Sequence, residues 1–298
     1  MQGHTRFGRG RLAVWICAAA LAGLFLSASA TRASINYNTD GATYTQNFDS
    51  LPNSPTNASL GTTPAGWTDD NPSPAAGNFS IVGWYLNHPI AATEGGFNGH
   101  QRLRASSGNS TTGSFYSFGA NSSTDRALGA TNSNTQANAG SNVFFGMRLT
   151  NNTGNTIFGF TLSYDGEQWR DGGNNPATPE TDVVQYSLGA SGIDDNSFTN
   201  VGAAANFTTP VNNTTAAAVD GNVAGKVAIG PVTVSDVAWL PGTDLWIRWV
   251  DTNIANSDSG LGIDNVNFVA SSNLPEPATV GLLAIGAVLG LRRPRRAR

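Results

Sequence analysis

Cysteine, lysine and histidine are scarce in this 298-residue chain, and each shortage closes off some chemistry. The one cysteine, Cys17, lies in an apolar run near the N-terminus, so the remainder can form no disulfide, zinc–thiolate centre or cysteine nucleophile. Lys226 is the only lysine, and charged residues make up 12% of the chain. Beyond the N-terminal segment the only histidines are His88 and His100, each in a Gly-, Asn- or Pro-rich context that reads as loop, and neither is paired by the sequence with a particular serine. The stretch from Gly221 to Lys226 has a glycine–lysine pair but lacks the spacing and the Ser/Thr of a phosphate loop, and there is no G-x-S-x-G elbow. No sustained helical period runs through residues 34–273.

Glycine, asparagine, serine and threonine fill the space left by charge. Disorder is not implied, because six tryptophans, from Trp67 to Trp249, are spread along residues 34–273. Nine of the sixteen basic residues and one of the twenty acidic ones lie in the two end segments. That leaves seven against nineteen between them, a net charge of −12. A body so acidic repels phosphate backbones, which excludes nucleic acid as an expected partner and leaves divalent cations and neutral sugars.

Both ends read as addresses. Arg6, Arg9 and Arg11 precede the apolar run from Leu12 to Leu26, and Ala28-Ser29-Ala30 fits an A-x-A cleavage pattern, with a cut after Ala33 as the second choice. Residues 1–33 are thus expected to be a signal peptide with a helical apolar stretch. At the other end Pro275, Glu276 and Pro277 precede an apolar run from Ala278 to Leu291, which leads into Arg292, Arg293, Arg295, Arg296 and Arg298. Proline suits a helix start near Ala278, the run is shorter than the ~20 residues of a comfortable span, and the arginines would hold its end in the cytoplasm. Residues 274–298 are expected to form a short transmembrane helix that retains the chain temporarily while the body is exported.

That three-part tail resembles the PEP-CTERM domain of Gram-negative bacterial surface proteins. The resemblance covers only about the last twenty-five residues. It implies recognition at Pro275, Glu276 and Pro277 by an exosortase-type sorting protease, transient contact with the inner membrane, and delivery to the cell surface or an exopolysaccharide matrix.

Residues 34–273 read as one domain of many strands. Val143, Phe145, Met147 and Leu149 share a face; so do Phe158, Phe160, Leu162 and Tyr164, and Leu245, Ile247 and Trp249. This alternation predicts strands over 142–150, 156–164 and 244–251, with others at 44–48, 79–86, 114–118, 182–188, 226–234 and 261–269. Long polar loops are expected at 57–78, 119–140 and 203–225. Many short strands without helices predict an antiparallel β-sandwich, most simply a jelly roll. The opening Phe48-Asp49-Ser50-Leu51-Pro52, the segment from Tyr164 to Asn174 and the closing Leu261-Gly262-Ile263-Asp264-Asn265-Val266-Asn267-Phe268 are similar to a module of bacterial extracellular proteins. The module is itself similar to lectin-like jelly rolls that bind carbohydrate.

Four sets of residues are candidates for chemistry. Trp67, Trp84, Trp169 and Trp239 fall near predicted strand ends or loops, where aromatic platforms for glycans belong, although burial is the ordinary fate of a tryptophan. Asp165 and Glu167, spaced i, i+2, would share a strand face and could act as the acid pair of a glycoside hydrolase. The duller use of Glu167 is an ion pair with Arg170 or Arg248. Asp251, Asn253, Asp258 and Asp264 crowd the end of the body and offer the oxygen ligands that a hard cation such as calcium needs, hydrogen-bonded turn carboxylates being the alternative. The resemblance to carbohydrate-binding jelly rolls places a structural calcium between a first-strand acid and a last-strand aspartate, here Asp49 and Asp264. The expectation is a non-catalytic exported surface protein, with glycan contact as its candidate activity. A hydrolase and a passive coat component are the alternatives.

Overall fold

The computed structural model describes residues 3, 33–53, 81–87, 93–94, 97–98, 103–134 and 140–273. The sorting motif, both apolar end segments, Trp67, His88 and His100 lie outside the described residues. Among the described residues no helix is long and apolar enough to cross a membrane.

The chain is all-β. Its first eight strands are short: β1 (Ile35–Tyr37), β2 (Thr43–Gln46), β3 (Trp84–Asn87), β4 (Thr93–Glu94), β5 (Phe97–Asn98), β6 (Leu103–Ser106), β7 (Ser114–Phe118) and β8 (Ala127–Thr131). Long ones follow: β9 (Asn142–Asn151), β10 (Ile157–Asp171) and β11 (Thr181–Ser187). After the short β12 (Thr199–Asn200), β13 (Phe207–Thr208) and β14 (Ala217–Ala218) come β15 (Lys226–Trp239), β16 (Asp244–Thr252) and β17 (Gly260–Ser271).

Two curled sheets result, as in a β-sandwich. The first runs β1-β9-β16-β11-β12, with β3 also on β9 and β13 also on β11. The second runs β14-β10-β17-β8-β7-β6, with β15 also on β10 and β2 also on β17. Pairing is antiparallel except for β1 with β9 and β6 with β7. Among the described residues β4 and β5 pair only with each other.

The alternation of apolar residues decides which faces meet. Phe145, Met147 and Leu149 of β9 and Leu245, Ile247 and Trp249 of β16 join Phe160, Leu162 and Tyr164 of β10 and Ile263, Val266 and Phe268 of β17 in one core. Trp249 is its hub. It lies against Trp84 and Phe145 on its own side, and against Tyr164 of the second sheet at 5.3 Å, edge to face. Such ring pairs add about 0.5–1.5 kcal/mol each beyond the area they bury.

The pairing of β10 with β17 is irregular at one point. Ser163 faces Asn267 and Asp165 faces Asp264, so three steps along β17 answer two along β10. The extra residue is a bulge at which Asn265 takes φ +50°, a left-handed conformation that asparagine tolerates better than most residues. The bulge lets Ile263 and Val266 both point into the core and turns Asp264 to the same side as Asp165.

Three expectations differ from this topology. The stretch 203–225, expected as a loop, contains the short strands β13 and β14. The polar stretch 119–140 contains β8, whose small residues are buried on both faces and so show no alternation. Within the strand expected at 79–86, residues 82–83 form a turn and pairing begins at Trp84.

Candidate functional site

Polar side chains gather in two places, the outer face of the second sheet and one end of the space between the sheets. On the outer face, Asp165 and Glu167 do share a side of β10, as their spacing requires. Asp165 holds Lys226 at 2.8 Å and accepts a hydrogen bond from the Asn265 amide at 2.9 Å. Glu167 is 1% exposed, and its Oε2 accepts the indole N–H of Trp169 at 2.8 Å. Its Oε1 has no hydrogen-bond partner among the described residues. Burial, with the charges of Asp264 and Asp125 added to it, pushes the Glu167 carboxyl up to about 8. Asp264, also buried, is pushed up to about 7 for the same reason, with the charges of Asp125, Asp49 and Asp165 contributing.

The expected ion pair of Glu167 with Arg170 or Arg248 is not formed. Arg248 stands on β16 in the other sheet, where its guanidinium lies 3.7 Å from the Phe198 ring centroid and 4.4 Å from that of Phe144. It donates to Gln185 and to the carbonyls of Ile193 and Asp195. Arg170 donates to the Gly108 carbonyl at 3.3 Å. Two cations act near Glu167 instead. Lys226, its cross-strand neighbour on β15, has a charge that lowers the Glu167 pKa. Arg126 is a buried side chain that donates to Ser117 and Ala120 and feels the Glu167 charge. Only the position of Arg126 at the head of an unrecognised strand could have revealed it.

Three of the four expected tryptophan platforms are corrected too, Trp67 lying outside the described residues. Trp84 and Trp239 are fully buried, and their indole N–H groups donate to Tyr44 Oη and Thr243 O, each at 2.9 Å. Trp169 points outward from its sheet but is 2% exposed, packed with Tyr116, Phe118 and Ala127. Gly221 and Gly108 make that cover possible. A Cβ on the first would meet the indole at 2.3 Å, and one on the second would lie 1.7 Å from the Trp169 carbonyl.

Asp49 is exposed and accepts the Asn47 amide at 2.6 Å, whereas Asp264 is buried. Among the described residues no three acidic, histidine or cysteine side chains are gathered as a formed metal centre gathers them. Beside Asp264, where β2 meets β17, lies an open groove of about 350 Å³ lined by Thr45, Gln46, Asn47, Asn265, Val266 and Asn267. Four of those six carry side-chain amides, which both donate and accept hydrogen bonds.

The second gathering is at the far end of the core. Glu180, Asp182, Asp251 and Asp258 are all buried there. Both Glu180 oxygens take the Ser259 N–H, at 2.8 and 2.9 Å, and Oε1 also takes the Ser259 hydroxyl. Asp258 accepts the Ile254 N–H at 2.9 Å. Burial pushes Glu180 up to about 7 and Asp258 up to about 6, and raises Asp182 and Asp251 well above the usual carboxylate range. Sequence reasoning singled out Asp251 and Asp258 but missed Glu180 and Asp182. The available signal was that Asp182 is in phase with Val184, an inward residue of the same strand.

No protein-family model and no curated protein matches the chain.

Proposed function

We propose that this chain is an exported, exosortase-sorted protein of a Gram-negative-type cell surface or biofilm matrix, non-catalytic, on a jelly-roll, lectin-like sandwich. The observation that carries the reading is Pro275-Glu276-Pro277 followed by a short apolar run and five arginines, on a chain whose other end has the layout of an export signal. Those segments act as the signal helix and the short transmembrane helix; the sorting protease is the partner, and the inner membrane a transient one.

The geometry of the acidic residues supports a non-catalytic body. A hydrolase needs its proton donor and its second carboxylate beside an exposed bond. Glu167 is shut under Trp169 and its neighbours, and Asp165 is engaged by Lys226 and Asn265.

Glycan contact, in this reading, moves from the tryptophans to the amide groove between β2 and β17. Exposed Asn47, Asn265 and Asn267 suit sugar hydroxyls, each of which donates and accepts. Native affinity electrophoresis through a panel of neutral and acidic polysaccharides tests it. Retardation by one polysaccharide, lost in an Asn47→Ala/Asn267→Ala double variant, is the expected result. Unchanged mobility of the folded protein in every gel rejects glycan contact for that panel and leaves a passive coat component.

A further inference from the structure

Asp182 and Asp251 occupy an unusual place for two carboxylates. Val183 faces Val250 across β11 and β16, so Asp182 and Asp251 are the next cross-strand pair outward. Each is in phase with a core residue of its own strand, Asp182 with Val184 and Asp251 with Trp249, both of which are fully buried. Period-two alternation therefore points both carboxylates into the space between the sheets. Asp182 is 1% exposed and Asp251 3%.

Their oxygens are not satisfied by the protein. Among the described residues neither Oδ1 nor Oδ2 of Asp182 has a hydrogen-bond partner, and Oδ2 of Asp251 has none. The charges that bear on Asp251 are those of Asp182, Asp258 and Glu180, all of one sign. A buried carboxylate without donors is strongly unfavourable unless something compensates its charge. Glu180 and Asp258 have donors of their own, which fix them at the rim and leave the three bare oxygens as the uncompensated part of the cluster.

We propose that Asp182 and Asp251 bind a calcium ion at this end of the sandwich, with Glu180 and Asp258 completing its acidic surroundings. The donor set is oxygen alone, which selects a hard cation. The two bare carboxylates supply its protein charge, while carbonyl and water oxygens make up the six to eight ligands of calcium. Glu180 and Asp258, held by their own donors, are neighbours and not ligands, in keeping with the absence of a three-acid cluster among the described residues. The ion bridges β11 and β16. Through Ser259, which is bound to Glu180, it also fixes the segment leading into β17. The site is separate from the Asp49/Asp264 pair and stands whether or not the protein is a surface component.

The test is a calcium titration of the purified full chain, stripped with chelator, followed by calorimetry and by thermal unfolding. The expected result is one saturable calcium step with a raised Tm. The step weakens at least tenfold in Asp182→Asn and in Asp251→Asn, and is unchanged in Asp264→Asn. Terbium emission provides a readout that leaves the ligands intact. Trp249, two residues before Asp251 on the same face, sensitises the bound ion, and Trp249→Phe removes most of that emission. Three results overturn the proposal: no calcium step up to about 10 mM, well above the 10⁻⁴–10⁻³ M of extracellular sites; a step lost in Asp264→Asn but kept in Asp182→Asn; or terbium emission indifferent to Trp249.

Discussion

The indole N–H of Trp169 donates to the carboxylate of Glu167, two residues back on the same side of β10, at 2.8 Å. It is the one hydrogen bond that the buried carboxylate receives among the described residues. Trp169→Phe keeps most of the packing with Phe118 and Tyr116 and removes that donor. The expected cost is about 1–3 kcal/mol, the range for leaving a buried polar group unpaired, together with a further rise in the Glu167 pKa. Urea unfolding and carboxyl NMR titration measure the two effects separately.

The pH dependence of stability has its origin in the same burial. Glu167 is raised to about 8, Asp264 and Glu180 to about 7 and Asp258 to about 6. In each case the folded state binds its proton more tightly than the unfolded chain, whose carboxyls titrate near 4. Between about pH 4 and pH 8 the native state therefore holds the extra protons, and stability falls as pH rises. Depressed carboxyls such as Asp40 work the other way, below that window. In chelator, Tm at pH 5 is expected to exceed Tm at pH 8, and calcium is expected to recover part of the difference at pH 8. A Tm that climbs steadily from pH 5 to pH 8 in chelator would contradict this.

Glu167 and Arg248 lie on different sheets and share no partner. A double-mutant cycle of Glu167→Gln and Arg248→Met is expected to be additive within about 0.5 kcal/mol. Arg248→Lys alone should cost about 1–2 kcal/mol, because an ammonium cannot lie flat between Phe144 and Phe198 while reaching the Ile193 and Asp195 carbonyls.

Gly129 supports the close approach of β8 to β17. A Cβ there would lie 1.9 Å from the Leu261 carbonyl, a backbone atom that cannot swing aside. Gly129→Ala is expected to destabilise the protein by about 1–3 kcal/mol or more, whereas Gly154→Ala, with open space around its Cβ but φ +80°, should cost about 1 kcal/mol through backbone strain alone. Thermal unfolding of the two variants separates contact from conformation.

Alternation made the long strands legible. Residues 142–150 bury one face against the core, and the period of two in their apolar residues records it. Residues 244–251 are covered on both faces, yet Leu245, Ile247 and Trp249 still recur at every second position on the core side. β8 was not legible, because Ala127-Leu128-Gly129-Ala130-Thr131 is covered on both sides and carries small residues where strands approach closely. The tryptophans misled for a related reason. Trp169 does lie on an outer sheet face, but the sequence does not state that Phe118, Tyr116 and two glycine-bearing turns fold over it. Asp182 looked like an ordinary strand end. Only the register with β16 brings it beside Asp251.

Intact-mass spectrometry of the protein recovered from its host's envelope and medium tests the central claim most directly. Sorting predicts a chain that begins near Ala30–Ser34, ends close to Pro275-Glu276-Pro277, and keeps its C-terminal arginines only in cells lacking the sorting protease. A surface-exposed or secreted form that still carries Arg292 to Arg298 in normal cells would contradict it.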